Sequence, residues 1–422
     1  MDERPHIWNH LETEYTAPIR DPLWGHIYLS PAMLKLVNTP EFQQLSRIRQ
    51  LGPTYLVYPG ATHTRLNHSL GVFHLARRIL TRLIQHPEVP RLSLEGVKAF
   101  LAAALLHDVG HFPYTHSFKS LPLADHEHLT GRIVRSGELK RHLTEDLAVD
   151  PYLVAAIVDE SLDAGGNEEV HLYRNLLSGS LDPDKLDYLN RDAYFCGVPY
   201  GIQDIDFAIS RIRPNGYEGI GLDETGVSAV ENILFSKFLM YRAVYWHRTV
   251  RVATAMIKKA VYLGLEDGVI VPDDLYGLDD ELFLARFSDH PFPPFALIAE
   301  VGGRRLLKPA AAIPFDPTDP RHHDMSEIVT RRRVEGELAR AFGVPEHHVI
   351  IDVPDPISFE AHFPIFEDGQ RFEFSEKSVF AGKVVRKFAE ALRRIRLMVP
   401  REIVTDTFDS KAILLEALDA VG

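Results

Sequence analysis

Residues 97–116, VKAFLAAALLHDVGHFPYTH, carry the pattern that decides the fold. Apolar residues fill the segment up to Leu106 and predict a helix that is buried on most sides. His107 and Asp108 end this helix, shortly before Gly110. A carboxylate beside an imidazole in a protein core costs several kcal/mol unless a partner compensates it. A metal cation takes both side chains as ligands, so the doublet predicts a metal site.

The composition is that of an ordinary globular protein. The chain has 422 residues, of which 45% are apolar and 25% are charged. The only cysteine is Cys196, the N-terminus is polar, and no apolar run reaches the roughly 20 residues that cross a bilayer. We therefore expect a soluble, cytoplasmic protein without membrane contact. The net charge of −13 argues against a general nucleic-acid surface.

The hydrophobic periodicity predicts a mainly α fold. Helical patterns cover residues 67–85, 95–108, 146–162, 172–178, 185–193 and 231–265, and turn signals at Asn215 and Gly216 predict a small β-hairpin. After residue 290 a proline-rich stretch is followed by strand patterns and two helical patterns, MSEIVTRRRVEGELARAFG and AGKVVRKFAEALRRIRLM. This order predicts a helical core, residues 1–290, and a smaller α+β region, residues 291–422.

A closed metal site needs more ligands than the doublet supplies. His68, near the start of a predicted helix, and Asp184, at the start of another, are candidates. Two imidazoles and two carboxylates suit Mn, Fe, Zn, Ni or Co. Spacing alone does not select these residues, and His68 by itself is equally typical of a histidine in a protein core.

Three stretches carry a resemblance to a known family: YPGATHTRLNHSLGV at residues 58–72, LLHDVGHFPYTHSF at 105–118 and LDPDKLDYLNRDAYFCGV at 181–198. In this order they resemble the deoxynucleoside triphosphate triphosphohydrolases, a branch of the HD-domain metallophosphohydrolases. The resemblance spans about residues 25–258, and it implies an HD-domain helical core. It also implies hydrolysis of deoxynucleoside triphosphates to deoxynucleoside and inorganic triphosphate. The metal ligands that it implies are His68, His107, Asp108 and Asp184.

The resemblance also implies the catalytic residues. They match His111 and His116 in the segment after the doublet, and His126 and Glu127 in the next block. Histidine donates or accepts a proton near neutral pH, so His111 and His126 are the acid/base candidates. The alternative interpretation is that one or two of these residues only order the ends of helices.

The substrate contacts follow in the same way. The resemblance places phosphate-binding charge at Arg65, Lys185 and Lys237, and the helix of Lys237 also carries Arg242. Lys237 stands where the family has an arginine, which preserves the charge but loosens the geometry. The residues matched to the sugar and base are Gln50, Leu51, Tyr188, Asp192 and Tyr245. Mg²⁺ is expected to accompany the triphosphate. Trp246 stands at the position of a glutamine in the vertebrate enzyme, so the resemblance does not indicate which base is preferred.

Regulation is the point at which the chain departs from the family. Some members bind an activating guanine nucleotide between subunits, through positions that match Asn38, Gln43 and Ser46. Only the glutamine is kept, so the sequence leaves open whether a nucleotide activates this chain. The resemblance implies a homo-oligomer, either a dimer or a tetramer.

Two other functions remain open from the sequence. The first is an HD phosphohydrolase that acts on another nucleotide phosphoester, such as a monophosphate, a cyclic nucleotide or an alarmone. The second is a nucleotide-sensing protein whose metal site is vestigial. The presence of all four matched metal ligands, His68, His107, Asp108 and Asp184, argues against the second.

Overall fold

A computed structural model describes residues 3–357, 359, 362–380, 382–405 and 409–419. The predicted mainly α fold is confirmed. The helices up to residue 200 are α1 Arg4–Thr13, α2 Pro31–Val37, α3 Pro40–Gln44, α4 Arg65–Gln85, α5 Leu94–Leu106, α6 His126–Val134, α7 Gly137–Glu145, α8 Pro151–Val158, α9 Glu168–Ser178 and α10 Pro183–Cys196. Those that follow are α11 Ile205–Ser210, α12 Val227–Met240, α13 Arg248–Glu266, α14 Asp280–Phe287, α15 Ala296–Gly302, α16 Pro320–Asp324, α17 Ile328–Phe342, α18 Phe374–Lys377, α19 Lys383–Leu392 and α20 Ser410–Asp419.

Nine described strands form three small sheets. The strands are β1 Ala17–Asp21, β2 Gly25–Leu29, β3 Ile212–Pro214, β4 Ile220–Asp223, β5 Lys308–Pro314, β6 Ile350–Asp352, β7 Pro364–Glu367, β8 Gln370–Glu373 and β9 Arg394–Val399. The pair β3–β4 is the predicted hairpin, and β4 also pairs in parallel with β7. The third sheet has the order β5-β9-β6 and is antiparallel. The chain after residue 290 therefore both builds its own sheet and adds strands to the hairpin.

The core is built around α5. Gly96 and every residue from Ala99 to Leu106 are buried, and the helix packs against α4, α8 and α9. Its alanines let these neighbours approach closely, as dense interior packing requires. The helix that carries His107 at its end is thus held on several sides. Among the described helices, none combines the length and apolar character that a membrane span requires.

Three segments differ from the predicted pattern. The predicted helix at residues 146–162 is limited to α8, because Ala148 has a φ of 54° and Asp150 with Pro151 starts a new helix. The predicted helix at residues 231–265 is interrupted by a π-helical turn, Tyr241–Tyr245, and restarts where His247 caps α13. The last five residues of the last predicted helix, RIRLM, belong to β9, the central strand between β5 and β6.

His74 on α4 makes the stability of the fold depend on pH. Its ring stacks on Trp24 with centroids 6.0 Å apart, and burial, together with the charges of Arg78 and Arg77, lowers the pKa of His74 from 6.5 to about 4. The unfolded chain binds this proton at a higher pH than the folded chain does. The stabilising contribution is therefore complete above pH 6.5 and is lost as the pH falls to 4, by about 2 to 3 kcal/mol.

Urea unfolding at about pH 7.5 and about pH 4.5 measures this effect. We expect the His74→Asn variant to lose less unfolding free energy on acidification than the wild type loses. His6→Asn, which changes an exposed histidine on α1, is the matched control and should follow the wild type. An equal loss in the His74→Asn variant and the wild type would show that His74 does not cause the acid sensitivity.

Candidate metal centre and active site

The turn after α5 positions the His-Asp doublet. His107 is the C-cap residue of α5. The Thr130 hydroxyl donates to the His107 carbonyl at 2.9 Å and accepts from the Gly110 N–H at 2.9 Å. A Cβ on Gly110 would lie 2.2 Å from the His126 carbonyl oxygen. Glycine at this position therefore lets the turn pass directly against α6.

Three of the predicted metal ligands lie together. One ligand atom from each of His68, His107 and Asp184 can be chosen so that all three lie within 4.8 Å of one another. His68 is buried in the first turn of α4, and its Nε2 is 2.8 Å from Asp184 Oδ1. Asp184 lies in the first turn of α10, which Asp182 caps through the Lys185 N–H. His107 Nε2 lies 3.9 Å from the same Asp184 oxygen.

The donor atoms of this triad fit a divalent cation. His107 Nδ1 lies 3.0 Å from the Ala104 carbonyl, which can only accept, so Nδ1 carries the hydrogen and Nε2 has a free lone pair. His107 Nε2 is buried and has no hydrogen-bond partner among the described residues. Asp187 holds His68 in the same manner, at 2.9 Å from its Nδ1. Partners of this kind fix the tautomer and orientation of metal-ligating histidines, and the donor set suits Mn, Fe, Co, Ni or Zn.

The charges around His68 favour a cation as well. Burial alone would lower the pKa of His68, but its hydrogen bonds with Asp184 and Asp187 raise that pKa to about 10. Burial alone would raise the pKa of Asp184, yet the hydrogen bond with His68 lowers it to about 2. Two ionised carboxylates thus face one imidazole, and a bound cation would replace the proton on His68 Nε2.

Asp108 lies beside the triad and connects it to the next group of histidines. Its Oδ1 is 3.3 Å from His107 Nε2 and 3.4 Å from His111 Nε2, and its Oδ2 accepts from Arg65 at 2.7 Å. Burial opposes ionisation, but His111, His107 and Arg65 hold the pKa of Asp108 well below its usual value. Asp108 is consequently an ionised carboxylate whose second oxygen is committed to Arg65.

The four predicted catalytic residues also lie close together. The ligand nitrogens of His111, His116 and His126 lie within 4.8 Å of one another. The His111 and His126 ring centroids are 3.9 Å apart, and His126 Nδ1 is 3.0 Å from Glu127 Oε2. Burial and the charge of Arg65 lower the pKa of His111 well below its usual value. The hydrogen bond with His126 lowers the pKa of Glu127 to about 2, against a burial effect that would raise it.

Behind the triad lies a buried ionic network that the sequence pattern did not indicate. Asp187 accepts two hydrogen bonds from Arg191, at 2.8 and 2.9 Å, and one from Trp24 Nε1 at 2.5 Å. Arg191 also donates to Asp21 at 2.8 Å. A Cβ on Gly71 would lie 1.8 Å from Asp187 Oδ1, so the network lies tight against α4. The spacing of polar residues along α10, three and four apart, is the signal that could have identified them.

Three of the residues matched to the nucleoside, Tyr188, Asp192 and Tyr245, lie close together. Asp192 accepts from the Tyr245 hydroxyl at 2.6 Å and lies 2.8 Å from His63 Nε2. Tyr188 meets Tyr245 edge to face, with centroids 6.3 Å apart. Tyr245 reaches this position from the π-helical turn, a local feature frequent at functional sites. His63 was not among the predicted residues, although it belongs to the same quoted stretch as His68.

Comparisons with family models support the interpretation of this geometry. The model of the HD domain matches residues 65–180, and the model of the HD associated region matches residues 213–414. The first match contains His68, His107 and Asp108. The chain therefore carries an HD domain followed by an HD associated region.

Relatives of this HD-domain chain include the protein YwfO of Bacillus subtilis, which is 28% identical over 92% of this chain and 93% of that protein. The deoxynucleoside triphosphate triphosphohydrolase SAMHD1 of Danio rerio is 27% identical over 59% of this chain and 45% of its own length. The structure of a hypothetical protein from Aquifex aeolicus superposes with a TM-score of 0.70 at 26% identity, covering 92% of this chain and 97% of that one. Four other curated relatives, SAMHD1 of Danio rerio among them, are matched over about half of their length.

Two of the predicted phosphate-binding cations of the HD-domain chain line one cavity. Lys185 and Lys237, together with His362, border a space of about 390 Å³. Lys237 Nζ lies 5.3 Å from the centroid of the Phe359 ring, and Lys185 donates to the Gly179 carbonyl at 2.7 Å. The residues after 350 thus reach the same cavity as the two lysines.

The remaining predicted contacts are distributed more widely. Leu51 packs at the margin of the main hydrophobic core, and Gln50 Oε1 is buried without a hydrogen-bond partner in the described chain. Arg242 is exposed on the π-helical turn that also carries Tyr245. The role of Arg242 in phosphate binding therefore stays a prediction.

The three residues matched to the activating nucleotide lie in and around α3. Asn38 is exposed at the end of α2. The Gln43 side-chain amide donates to the Val37 carbonyl at 2.7 Å, and the Ser46 hydroxyl donates to the Gln43 carbonyl at 2.6 Å. Arg47 pairs with Asp279 at 2.5 Å. The polar groups of this segment are therefore largely engaged within the chain.

Proposed function

We propose that this chain hydrolyses deoxynucleoside triphosphates to a deoxynucleoside and inorganic triphosphate. The observation that carries the proposal is the lone pair of His107 Nε2, buried beside His68 and Asp184. Asp108, beside this triad, contacts both Arg65 and His111, which belongs to the group of three histidines with His116 and His126. The similarity to relatives that carry this activity in their names supports the same substrate class.

The ion would be held by His68, His107 and Asp184, with Asp108 beside it. When bound, a divalent transition metal there would act as a Lewis acid toward water and a phosphoryl oxygen. Asp187 and the Ala104 carbonyl orient the two imidazoles. Mn, Fe, Zn, Ni and Co all accept this donor set, so metal analysis of the purified protein decides among them.

The histidines beside the triad would handle the proton. The proposed hydrolysis adds the oxygen of water to the α-phosphorus, breaks the bond from that phosphorus to O5′, and leaves O5′ in need of a proton. His126 would supply this proton, with Glu127 beside its Nδ1 side, and His111, whose lowered pKa favours the neutral ring, would accept a proton from the attacking water. His116 contacts both rings from the exposed side of the group.

Fixed positive charge would bind the triphosphate, which enters with Mg²⁺. Arg65 is anchored through Asp108, so its guanidinium keeps one orientation next to the metal ligands. Lys185, the residue after Asp184, and Lys237 line the cavity of about 390 Å³. Because a lysine ammonium group acts as a point charge, the two lysines can bind phosphate groups in several positions.

The wall formed by Tyr188, Asp192 and Tyr245 would select the sugar. All three side chains are held by their neighbours, so they cannot easily move to make room for the 2′-hydroxyl of a ribose. A pocket of this kind rejects a ribose by steric and desolvation cost. Gln50 and Leu51 are proposed to complete the same wall.

The decisive experiment is to incubate the protein with each deoxynucleoside and ribonucleoside triphosphate and Mn²⁺ or Mg²⁺, and to separate the products by chromatography. We expect deoxynucleoside and intact inorganic triphosphate from the deoxynucleotides. Orthophosphate or pyrophosphate released from monophosphates, cyclic nucleotides or alarmones would instead assign the chain to another HD phosphohydrolase activity. Absence of both turnover and bound metal would favour a nucleotide sensor.

Removal of one hydroxyl tests the sugar wall. In Tyr245→Phe, Asp192 loses a hydrogen-bond donor in a buried setting, worth about 1.5 to 3 kcal/mol for a charged acceptor. We expect kcat/KM for deoxynucleotides to fall about 10- to 100-fold and the discrimination against ribonucleotides to narrow. Tyr194→Phe, which alters an exposed tyrosine on α10, is the control and should behave as wild type. Equal discrimination in Tyr245→Phe and wild type would remove Tyr245 from the proposed wall.

Assembly and activation are part of the proposal. We propose a homo-oligomer, measured as the mass of the protein by light scattering with and without nucleotides. Activation by a nucleotide bound near Asn38, Gln43 and Ser46 would appear as turnover of one deoxynucleotide that depends on a second one. Turnover of each deoxynucleotide alone, at a rate that no other nucleotide changes, would contradict the activation.

A further inference from the structure

We propose that His111, His116 and His126 bind a second divalent cation, separate from the ion of the His68–His107–Asp184 triad. The three imidazoles come from the loop after α5 and from the start of α6. Their ligand nitrogens lie within 4.8 Å of one another. The triad contributes no side chain to this second group.

The spacing of the nitrogens fits a metal ion. His111 Nε2 and His116 Nε2 are 3.3 Å apart. A tetrahedral ion with metal–nitrogen bonds of about 2.0–2.1 Å separates its ligand nitrogens by about 3.3 Å. Two of the three ligands therefore already stand at the distance that one shared ion requires. Small rotations of the His126 ring, whose centroid is 3.9 Å from that of His111, would bring the third nitrogen into range.

Neighbouring groups prepare these imidazoles for a cation. His126 Nδ1 lies 3.0 Å from Glu127 Oε2, so the carboxylate favours the hydrogen on Nδ1 and the lone pair on Nε2. Asp108 Oδ1 is 3.4 Å from His111 Nε2, and this carboxylate balances the positive charge of Arg65, with which it pairs. His116 is exposed, which gives an ion a route from solvent.

The donor atoms select the class of ion. Three imidazole nitrogens with one open position suit Zn²⁺, and also Co²⁺, Ni²⁺ or Cu²⁺. Mg²⁺ prefers oxygen ligands and would not enter this site. One consequence rests on the activity proposed above. If the chain hydrolyses deoxynucleoside triphosphates, a second zinc ion would bind the histidine nitrogens that transfer the proton in that reaction. The second site would then be inhibitory.

The test counts ions bound to the full chain and needs no turnover, so its failure is distinct from failure of the proposed function. Protein freed of metal by a chelator is dialysed against Zn²⁺, and its metal content is measured. We expect two zinc ions per chain in the wild type. The double variant His116→Gln/His126→Gln and the separate variant His107→Gln should each hold one.

His128→Gln is the matched control. His128 lies on α6, two residues from His126, and pairs with Asp159 at 3.2 Å outside the group, so this variant should hold two ions. A single zinc ion in the wild type, or two in the double variant, would overturn the proposal. If the double variant fails to fold by circular dichroism, the wild type is titrated with Co²⁺ instead. The second equivalent must then give the intense absorption of a tetrahedral nitrogen site, and a weak octahedral spectrum or no binding overturns the proposal.

Discussion

A His107→Ala variant will keep its fold but lose the bound transition metal and almost all hydrolytic activity. His107 caps α5 with its backbone, which alanine preserves. Its Nε2 has no hydrogen-bond partner among the described residues, so alanine removes only the local bond from Nδ1 to the Ala104 carbonyl. Removal of the ligand leaves His68 and Asp184 as a pair, too few donors to retain a divalent ion. The Lewis-acid contribution is worth several kcal/mol, so the expected loss in kcat is at least about 10³-fold.

The measurements are metal content by mass spectrometry and turnover of the best deoxynucleotide at saturating Mn²⁺. His128→Ala is the control, because it removes an imidazole from α6 that pairs with Asp159 and not with the triad. It should keep the wild-type metal content and rate. A His107→Ala protein with full activity would refute the metal-dependent mechanism, and one with full metal but no activity would move His107 from metal binding to another role.

The sequence was sufficient for the helical core and for the composition of the triad. The apolar run that ends at His107 predicts a buried helix, and α5 is one. His68 and Asp184, 39 and 76 residues away from the doublet, were grouped with it through the family resemblance. Spacing could not have grouped them, because their meeting depends on how α4, α5 and α10 pack together.

The partners of these residues could not be predicted. Arg65 was expected to face phosphate, and in the structure its guanidinium is also anchored on Asp108. Asp187 was not singled out, although it holds both His68 and Arg191. Each such pair joins residues on elements whose relative position is a tertiary property. A sequence pattern identifies the face of one helix but not the side chain that it meets.

Strand β9 shows a second limit of prediction from the sequence, which concerns the type of secondary structure. RIRLMV follows a helical pattern without a glycine or proline between them, so periodicity extended the helix into it. In the structure its residues from Ile395 to Val399 are buried, because β5 and β6 pair on either side. A short apolar run of this kind is compatible with helix or strand, and the sheet partners decide.

Asp187→Asn will be the most destabilising of the substitutions considered. The change keeps the shape that fits against Gly71 but leaves the buried Arg191 with only Asp21 as a charged partner. Breaking a buried ion pair from one side costs about 3 to 5 kcal/mol, because a charge remains without compensation. Urea unfolding should show this decrease in the free energy of unfolding. Asp206→Asn, which alters an exposed ion pair with Arg78, should leave the midpoint close to that of wild type.

The same substitution should also weaken the metal site, and a second change separates the two effects. Removal of a partner that orients a ligating histidine lowers metal affinity by about 10- to 100-fold. In the double variant Asp187→Asn/Arg191→Gln the charge of Arg191 is gone; Asp21 loses its ion pair with Arg191 but keeps its bonds from the Leu23 and Trp24 N–H groups. Stability should therefore recover in part while metal affinity stays low. If stability and metal affinity recover together, Asp187 acts on the metal site only through the stability of the fold. If stability does not recover, the decrease in the free energy of unfolding comes from the lost contacts with His68 and Trp24.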